Sequence, residues 1–348
     1  MTENSTVLLT GGAGFFGGIL KQVLLAKGAR CVSVDLQPDE QRHPNLVSVQ
    51  GDIRDRELLR RIFAAHRFDV VFHCAAMLAH EVPDRAALWQ SNVEGTRNIA
   101  HAAAETGTVS IVFTSSNCLW GHSFPRPVRE DDPPHPVEIY GQSKWEAEKI
   151  LRRYADRLNV VILRCPTIID SGRLGLLAIL FEFIYEGRTI WTVGAGENRY
   201  QFVFASDLAD ACLRALHFRG VRVFNVGSDN VEPLRAVYQY VIDRANTGAK
   251  VRPLPRATTL LGMRLAHWLR LSPLGPYQYK MIAEDFQFDT SRIKSELGWQ
   301  PTLNNSEMLL RAYQYYCQHR EEISQRRHAS SHRKPAQMGI IRLVKWLS

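Results

Sequence analysis

A glycine-rich turn at residues 10–17 (TGGAGFFG) connects two segments of different character near the start of the chain. Residues 7–9 are apolar and predict a short buried strand, whereas residues 19–27 carry apolar side chains at helical spacing. In such a turn Gly11 permits a tight bend, Gly14 lets the backbone approach a pyrophosphate, and Gly17 lets the helix pack on the strand. The turn therefore predicts a dinucleotide-binding strand–helix unit, with an ordinary glycine-rich turn as the alternative.

The next predicted strand, residues 30–35, ends in an acid. A carboxylate at this position accepts hydrogen bonds from the adenosine ribose hydroxyls and repels a 2′-phosphate. Leu36 and Gln37 follow Asp35, so no arginine stands there to hold that phosphate. The sequence therefore predicts NAD rather than NADP as the cofactor. The alternative is that Asp35 only caps a strand end that faces solvent.

Composition and charge narrow the classes of protein. The chain has 348 residues, 45% hydrophobic and 22% charged, which is typical of one large or two modest globular domains. It has no apolar run long enough to span a bilayer, and its first residues lack a signal-segment pattern. The cysteines form no C-x-x-C pair, which predicts no metal site, no disulfide framework and a reduced, cytoplasmic setting. Much of the excess charge behind the net +8 lies near the C-terminus, and no basic stripe interleaved with aromatics appears elsewhere, so no nucleic-acid partner is predicted.

The order of the predicted elements predicts an α/β fold: a doubly wound parallel sheet (Rossmann) with a smaller mixed C-terminal substrate lobe. We expect the NAD-binding domain at 1–165, completed by strands and a helix within 199–226. Residues 166–198 and 227–322 are expected to form the substrate lobe over the carboxyl ends of the strands, where ligands bind in such folds. Residues 323–348 are expected to form a basic tail. Further strands are predicted at 46–50 and 110–116, and the proline-bearing segment 252–255 is predicted as a connection between helices at 232–245 and 260–271.

Tyr140 and Lys144 lie four residues apart in a helix predicted at 139–158, so they share one face. A phenol is a weak base at neutral pH, but a nearby ammonium and a cationic nicotinamide favour the phenolate. The same lysine can bond to the nicotinamide ribose, and the strand-end hydroxyl of Ser116 can hold the reacting oxygen. The group predicts an acid/base site that moves a proton while the nicotinamide moves a hydride.

These motifs resemble those of the extended short-chain dehydrogenases/reductases of the NAD-dependent epimerase/dehydratase family. The matching segments span about residues 5–320 and lie at 10–17, 35, 51–53, 73–76, 92–96, 114–116, 140–144, 207–211 and 297–301. The resemblance implies that Ser116, Tyr140 and Lys144 are catalytic. The cofactor contacts that it implies are Gly11, Gly14, Phe15, Phe16, Gly17, Asp35, Asp52, Ile53, Ala75, Ala76, Asn92, Tyr140, Lys144 and Pro166.

One departure from the family pattern lies at residues 116–121 (SNCLWG), where the family often has Ser-x-x-Val-Tyr-Gly. Family dehydratases have Asp-Glu after the hydroxyl residue and decarboxylases have Glu in place of Cys118, so neither activity is favoured. Relatives that epimerise or reduce GDP-sugars use a cysteine at this spacing to move protons, which makes Cys118 a catalytic candidate. The alternative is a small buried hydrophobe at a strand end.

Two further departures concern the substrate. Thr167 lies in the segment where the family has a substrate-binding asparagine, and Arg199 lies one place before the arginine that often holds the nucleotide diphosphate. We treat both as substrate-binding candidates, with a plain surface role as the alternative for Arg199.

The resemblance implies an NAD-dependent epimerase of a nucleotide sugar, with C4 as the favoured position, acting by transient oxidation to a keto sugar. The alternative is a net oxidoreductase or ketoreductase in the style of 3β-hydroxysteroid dehydrogenases, favoured by the apolar segment 260–271 and by the tail. A non-catalytic NAD-sensing module is a third class, and the intact Tyr140 and Lys144 argue against it.

The final expectations concern association. A helix over 338–347 places Ile340, Ile341, Val344 and Leu347 on one face and Arg342 and Lys345 on another. This pattern suits a peripheral contact with an anionic membrane, and the alternative is docking against the enzyme's own lobe or a partner subunit. We expect a homodimer with a small-molecule substrate.

Overall fold

Parallel strands build the core of the protein. The computed structural model describes residues 5–39, 41–78, 84–269 and 282–325. Within these residues the strands are β1 (Thr6–Thr10), β2 (Arg30–Asp35), β3 (Leu46–Gln50), β4 (Val70–His73), β5 (Ser110–Ser116), β6 (Asn159–Cys165), β7 (Thr167–Ile169), β8 (Thr189–Val193), β9 (Phe202–Phe204), β10 (Val221–Asn225) and β11 (Lys250–Leu254).

The described helices are α1 (Phe15–Ala26), α2 (Arg56–Ala65), α3 (Arg85–Trp89), α4 (Gly95–Glu105), α5 (Ile139–Arg152), α6 (Leu177–Tyr185), α7 (Ala205–Arg214), α8 (Leu234–Ala245), α9 (Arg256–Trp268), α10 (Ser291–Leu297), α11 (Asn305–Gln318) and α12 (Arg320–Gln325). A π-helical turn, Gln90–Glu94, joins α3 to α4. Short 3₁₀ turns follow β5 at Asn117–Leu119 and α7 at Ala215–His217.

Seven strands form one sheet in the order β10-β6-β5-β4-β1-β2-β3, and every neighbouring pair is parallel. Side chains of α1 and α7 join one apolar cluster with the sheet, and those of α2, α4 and α5 join a second. Helices therefore cover both faces, which explains why strands such as β1 (TVLLT) and β6 (NVVILRC) are nearly continuous apolar runs. The predicted doubly wound α/β fold is confirmed.

The strand order reverses between β1 and β4, because β2 continues on one side of β1 and β4 begins the other half of the sheet. Ligands bind at such a switch point, beyond the carboxyl ends of the strands. The glycine turn after β1 and the residues after β4 both lie there. The fold thus places the predicted cofactor motifs at the position that the topology favours.

The second half of the chain adds a third apolar cluster, which joins α6, α8 and α11 with the two-stranded parallel sheets β8–β11 and β7–β9. β10 and α7 come from this half but pack with the large sheet. The division into NAD-binding and substrate lobes remains a prediction.

Two sequence predictions of local structure are wrong. The helix predicted at 139–158 ends at Arg152, because turns at 153–157 redirect the chain so that the Asn159 amide can bond to the Val109 carbonyl and enter β6. The proline-bearing segment 252–255, predicted as a connection, lies largely in β11. Pro253 is tolerated there because, among the strands that the structure describes, β11 pairs with β8 alone and its other edge has no partner strand.

In the described residues no helix is both long and apolar enough to cross a bilayer. The segment 338–347, for which the sequence predicts membrane contact, lies outside the described residues.

Candidate active site

The glycine turn packs against the chain segment that follows β4. Gly11 has a positive φ of 79°, and a Cβ atom there would lie 2.8 Å from the Ala75 amide nitrogen. A Cβ atom on Gly17 would lie 2.0 Å from the Gly11 carbonyl oxygen. Side chains at either position would push the turn out of shape, so these glycines are required by close approach as well as by conformation.

The N-terminus of α1 is open to an anion. Gly14 is the N-cap of α1, and the first turn carries no acid. Among the described residues, no side chain accepts a hydrogen bond from the free N–H groups of this turn. The helix dipole and these donors favour a phosphate group at this end. Phe15 and Phe16, which begin the helix, are buried. This cradle fits the diphosphate of a dinucleotide.

Asp35 ends β2 directly beside the turn. Its carboxylate accepts hydrogen bonds from the amides of Ala13, at 3.0 Å, and Gln37, at 2.9 Å. The Gly11 amide donates to the carbonyl of Val34, at 2.8 Å, so the turn and the end of β2 are joined through the main chain. The position matches the one that the sequence predicts for an adenosine ribose contact.

The predicted adenine-end residues lie after β3. Burial acts to raise the pKa of Asp52, but its bonds to Arg54 outweigh that effect and hold the pKa below its ordinary value. Ile53 is buried, and a Cβ atom on Gly95 would lie 2.6 Å from its Cδ1 atom. The carboxylate of Asp52 therefore stays ionised while Ile53 anchors this loop against α4.

His73 joins three elements beneath the site. Its ring nitrogens lie 2.7 Å from the Thr10 hydroxyl and 2.9 Å from the Thr96 hydroxyl. Complete burial lowers the pKa of His73 to about 3, so the ring is neutral at physiological pH. The Thr10 hydroxyl also accepts from the Ala75 amide, at 3.2 Å. His73 thus positions the residues that follow β4, which include the predicted cofactor contacts Ala75 and Ala76.

Asn92 connects this segment to the helix that carries Tyr140. Its side chain accepts from the Met77 amide at 2.7 Å and donates to the Ser143 hydroxyl at 3.0 Å. Ser143 in turn donates to the Tyr140 carbonyl, at 2.7 Å. Asn92 lies in the π-helical turn, a type of irregularity that is frequent at functional sites.

Ser116, Cys118, Tyr140 and Lys144 lie on neighbouring segments: Ser116 ends β5, Cys118 lies in the 3₁₀ turn that follows, and the first turns of α5 carry Tyr140 and Lys144. The Ser116 hydroxyl accepts from the Cys118 amide, at 3.1 Å. A Cβ atom on Gly141 would lie 2.1 Å from the Cys118 carbonyl oxygen, so only glycine lets the first turn of α5 approach so closely. Tyr140 lies in that same first turn and is half-buried.

Lys144 lies one helical turn further along α5 and is buried. Its ammonium lies 4.1 Å from the centroid of the Phe113 ring on β5. Burial lowers the pKa of Lys144 to about 8, against the opposing influence of nearby groups that include Cys165 and Glu148. A cation held here at neutral pH favours a phenolate on the same helix face.

A buried polar network, which the sequence analysis missed, supports the site from below. Glu148 accepts from the Ser115 hydroxyl at 2.6 Å and from the Arg164 guanidinium at 3.0 and 2.8 Å. Arg164 also donates to the Glu130 carbonyl, at 2.8 Å. The network joins α5, β5 and β6 immediately behind Ser116. The sequence feature that could have indicated this network is the spacing of Glu148 four residues after Lys144, which places both side chains on the same helix face.

The cysteines near the site differ in accessibility. Cys165 is buried, donates to the Ser115 carbonyl at 3.1 Å, and its pKa is raised by burial to about 12. Cys118 is partly exposed. Cys165 therefore behaves as an inert packing thiol, and Cys118 is the more accessible of the two.

The candidate substrate residues lie around β7 and β9. Pro166 is buried between β6 and β7, and Thr167 begins β7, where it pairs with Phe202. The Arg199 guanidinium donates to the Val231 carbonyl. Tyr200, which follows Arg199, is buried and its hydroxyl accepts from the Asn117 amide at 2.6 Å, a contact that sequence reasoning missed.

Among the described residues, no group of three or more His, Cys, Asp or Glu side chains is arranged to hold a metal ion.

Comparison with known proteins identifies the family. The profile of the NAD dependent epimerase/dehydratase family matches residues 7–227, which is more than half of the chain. The chain belongs to the NAD dependent epimerase/dehydratase family. It is 35% identical over 346 residues to an uncharacterized protein, y4nG, of Sinorhizobium fredii, covering 98% of this chain and 86% of that protein.

The chain is also similar to two named enzymes. A UDP-glucose 4-epimerase of Neisseria meningitidis is 30% identical over 325 residues, covering 87% of this chain and 94% of that enzyme. The crystal structure of the Bordetella bronchiseptica enzyme WbmG in complex with NAD shares the fold, with a TM-score of 0.74 and 23% identity over 90% of this chain and 94% of that one.

The protein is thus an NAD-dependent enzyme of the extended short-chain dehydrogenase family, and NAD is its cofactor. The residues at the predicted cofactor site are chemically suited to NAD. The glycine cradle and the uncapped start of α1 suit its diphosphate, and the acid that ends β2 suits its adenosine ribose.

Proposed function

We propose that the protein is an NAD-dependent epimerase that inverts C4 of a nucleotide sugar through a transient keto sugar. The observation that supports the proposal is the close packing of the first turn of α5, which carries Tyr140, against the turn after Ser116, where a Cβ atom on Gly141 would lie 2.1 Å from the Cys118 carbonyl oxygen, with the buried Lys144 ammonium 4.1 Å from the Phe113 ring centroid on β5. The similarity to a UDP-glucose 4-epimerase over most of both chains supports the substrate class.

The residues that would hold the cofactor are those of the glycine cradle for the diphosphate, Asp35 for the adenosine ribose and Lys144 for the nicotinamide ribose. When bound, NAD supplies a reversible hydride acceptor. The chain itself supplies the groups that move the proton and orient the sugar.

Tyr140 takes the proton of the C4 hydroxyl as that hydroxyl becomes a carbonyl, and returns it when the opposite stereoisomer forms. The Lys144 cation on the same helix face stabilises the phenolate. Ser116 donates a hydrogen bond to the reacting oxygen and holds it beside the phenol. The Asn92–Ser143 bonds and the Glu148–Arg164 pair keep α5 in register with β5, so that these groups remain aligned.

Thr167 and Arg199 are the proposed substrate contacts. Arg199 would reach a diphosphate by exchanging the Val231 carbonyl, its present acceptor, for a phosphate oxygen.

The test is incubation of the purified protein with NAD and each member of a panel of nucleotide sugars, followed by chromatographic identification of the products and absorbance of NADH. We expect interconversion of one 4-epimeric pair, UDP-glucose and UDP-galactose first, with no net accumulation of NADH. Stoichiometric NADH with an oxidised product would favour the oxidoreductase alternative. Unchanged sugars across the panel, with a protein that binds NAD, would exclude nucleotide-sugar epimerisation.

A further inference from the structure

The helix α9 turns its apolar side chains outward. Large apolar residues are exposed at Leu261 (68%), Leu265 (54%) and Trp268 (76%), and at Leu269 (48%) directly after the helix. Their spacing of i, i+4, i+7 and i+8 places them on one helix face. We call these four residues the α9 stripe. Leu260, Met263 and Ala266, the first of them just before the stripe in sequence and the other two within it, are half-buried.

This arrangement is unusual for a surface helix, whose outer face is normally polar. Single exposed apolar residues need no explanation, but a contiguous stripe indicates an interaction surface. The inner face of α9 is already seated on the protein, next to β8. The helix α9 is therefore already folded in the free protein, so binding through the stripe requires no folding step.

The segment that carries the stripe has charged side chains of one sign. Residues 250–269 contain Lys250, Arg252, Arg256 and Arg264 and no Asp or Glu. All four cations are exposed, and none forms a salt bridge with a residue that the structure describes. Other surface arginines do pair, as Arg126 does with Asp132. This segment thus remains positively charged, which fits an anionic partner.

We propose that the α9 stripe docks on an anionic phospholipid bilayer, with the helix lying in the plane of the interface. Leucine and tryptophan side chains on one face, flanked by arginines, are the composition that such interfacial helices use. Lys and Arg side chains extend toward lipid phosphates while their stems stay near the acyl boundary. A second copy of the chain fits less well, because a two-fold contact through the same patch would bring like charges together.

The experiment uses the full chain and vesicles of phosphatidylcholine with or without phosphatidylglycerol. We expect the protein to sediment with the anionic vesicles, to bind pure phosphatidylcholine poorly, and to lose binding as salt rises. The variant Leu261→Ser/Leu265→Ser/Trp268→Ser should bind at least ~10-fold more weakly, since it removes most of the buried apolar area. Arg252→Gln/Arg256→Gln/Arg264→Gln should lose the preference for anionic lipid.

The matched control is Val109→Ser/Val137→Ser, which removes two exposed apolar side chains far from α9 in sequence and should bind as the parent does. The variant Ile341→Ser/Val344→Ser separates α9 from the membrane contact that the sequence predicts for 338–347: undiminished binding supports the α9 stripe, and binding reduced to that of pure phosphatidylcholine would assign the contact to the tail and overturn the proposal. Quenching of tryptophan fluorescence by brominated lipid should be reduced in Trp268→Phe, which reports on α9 itself even if the serine variant folds poorly.

Several results would overturn the proposal. Failure of the parent protein to bind either vesicle type would end the membrane interpretation. Binding of anionic vesicles by Leu261→Ser/Leu265→Ser/Trp268→Ser as strongly as by the parent protein would also overturn it. A change in the molecular mass of that variant, measured by light scattering, would assign the stripe to a contact between copies. Undiminished quenching in Trp268→Phe would place the lipid contact elsewhere.

Discussion

Glu148 and Arg164 form an ion pair that is shut off from solvent, with 2.8 Å between Oε2 and Nη2 and side-chain exposures of 0% and 1%. Glu148 lies on the same helix as Tyr140 and Lys144, and Arg164 lies on the strand that leads to Pro166 and Thr167. The pair therefore fixes the helix that carries the proposed acid/base group relative to the strand ends.

Replacement of Glu148 by Gln should destabilise the protein by ~3–5 kcal/mol, because it leaves a buried guanidinium without a counter-charge. Urea unfolding measures the change. The matched control is Glu105→Gln, which breaks the exposed Arg157–Glu105 pair and should cost at most about 1 kcal/mol. Equal effects of the two substitutions would show that the buried pair has no special structural role.

Lys144→Met should make the protein more stable at pH 7 while it abolishes activity. The folded-state pKa of Lys144 is lowered by burial to about 8 from 10.5, so the unfolded state binds more protons between these values. Burial of the Lys144 charge lowers the free energy of unfolding by ~3 kcal/mol below pH 8. This destabilisation disappears as the pH rises toward 10.5, because the lysine then becomes neutral in both states. Thermal or urea unfolding across this pH range should show stability rising in the parent relative to the variant. The same pH dependence of stability in the parent protein and in Lys144→Met would contradict a lowered pKa of Lys144.

Asp35→Ala should narrow the preference for NAD over NADP, because the carboxylate beside the glycine turn repels a 2′-phosphate. The substitution also removes the acceptor for the Ala13 and Gln37 amides, so Asp35→Asn is the better matched variant: it keeps an acceptor and removes the charge. Calorimetric titration of both cofactors measures the ratio. Equal affinity of the parent protein for NAD and NADP would refute the role of Asp35.

Cys118→Ala should leave turnover within a few-fold of the parent if the reaction is confined to C4. Hydride removal and return at C4 needs one acid/base group, whereas inversion next to a keto group needs further proton carriers. Steady-state kinetics of Cys118→Ala measure its turnover, and a melting curve shows whether the variant is well folded. A well-folded variant that has lost turnover would indicate that the Cys118 thiol carries protons and that a carbon other than C4 reacts.

Much of the large sheet was predictable because its strands are buried on both faces and stand out as apolar runs. The bounds of β2, β3 and β5 match the prediction. β11 was missed because Pro253 is typical of a connection, and only its edge position makes the strand possible.

The supporting contacts of the site could not be predicted in the same way. Glu148 belongs to a helix with alternating charges, which usually indicates a solvated face, and its burial depends on Ser115 and Arg164 arriving from two other strands. The bond between Asn117 and Tyr200 joins residues that are 83 positions apart. Such pairs follow from the tertiary packing and leave no local periodicity.

The most direct test of the central claim is turnover of UDP-glucose with NAD in deuterated water, followed by NMR of the product. The account predicts UDP-galactose that keeps the original hydrogen at C4 and takes up no deuterium on any sugar carbon, since Tyr140 exchanges only the hydroxyl proton. Tyr140→Phe should form this product ~10²–10⁴-fold more slowly, the usual scale of general acid/base catalysis, while it still binds NAD. Deuterium on a sugar carbon, or near-normal turnover by Tyr140→Phe, would contradict the account.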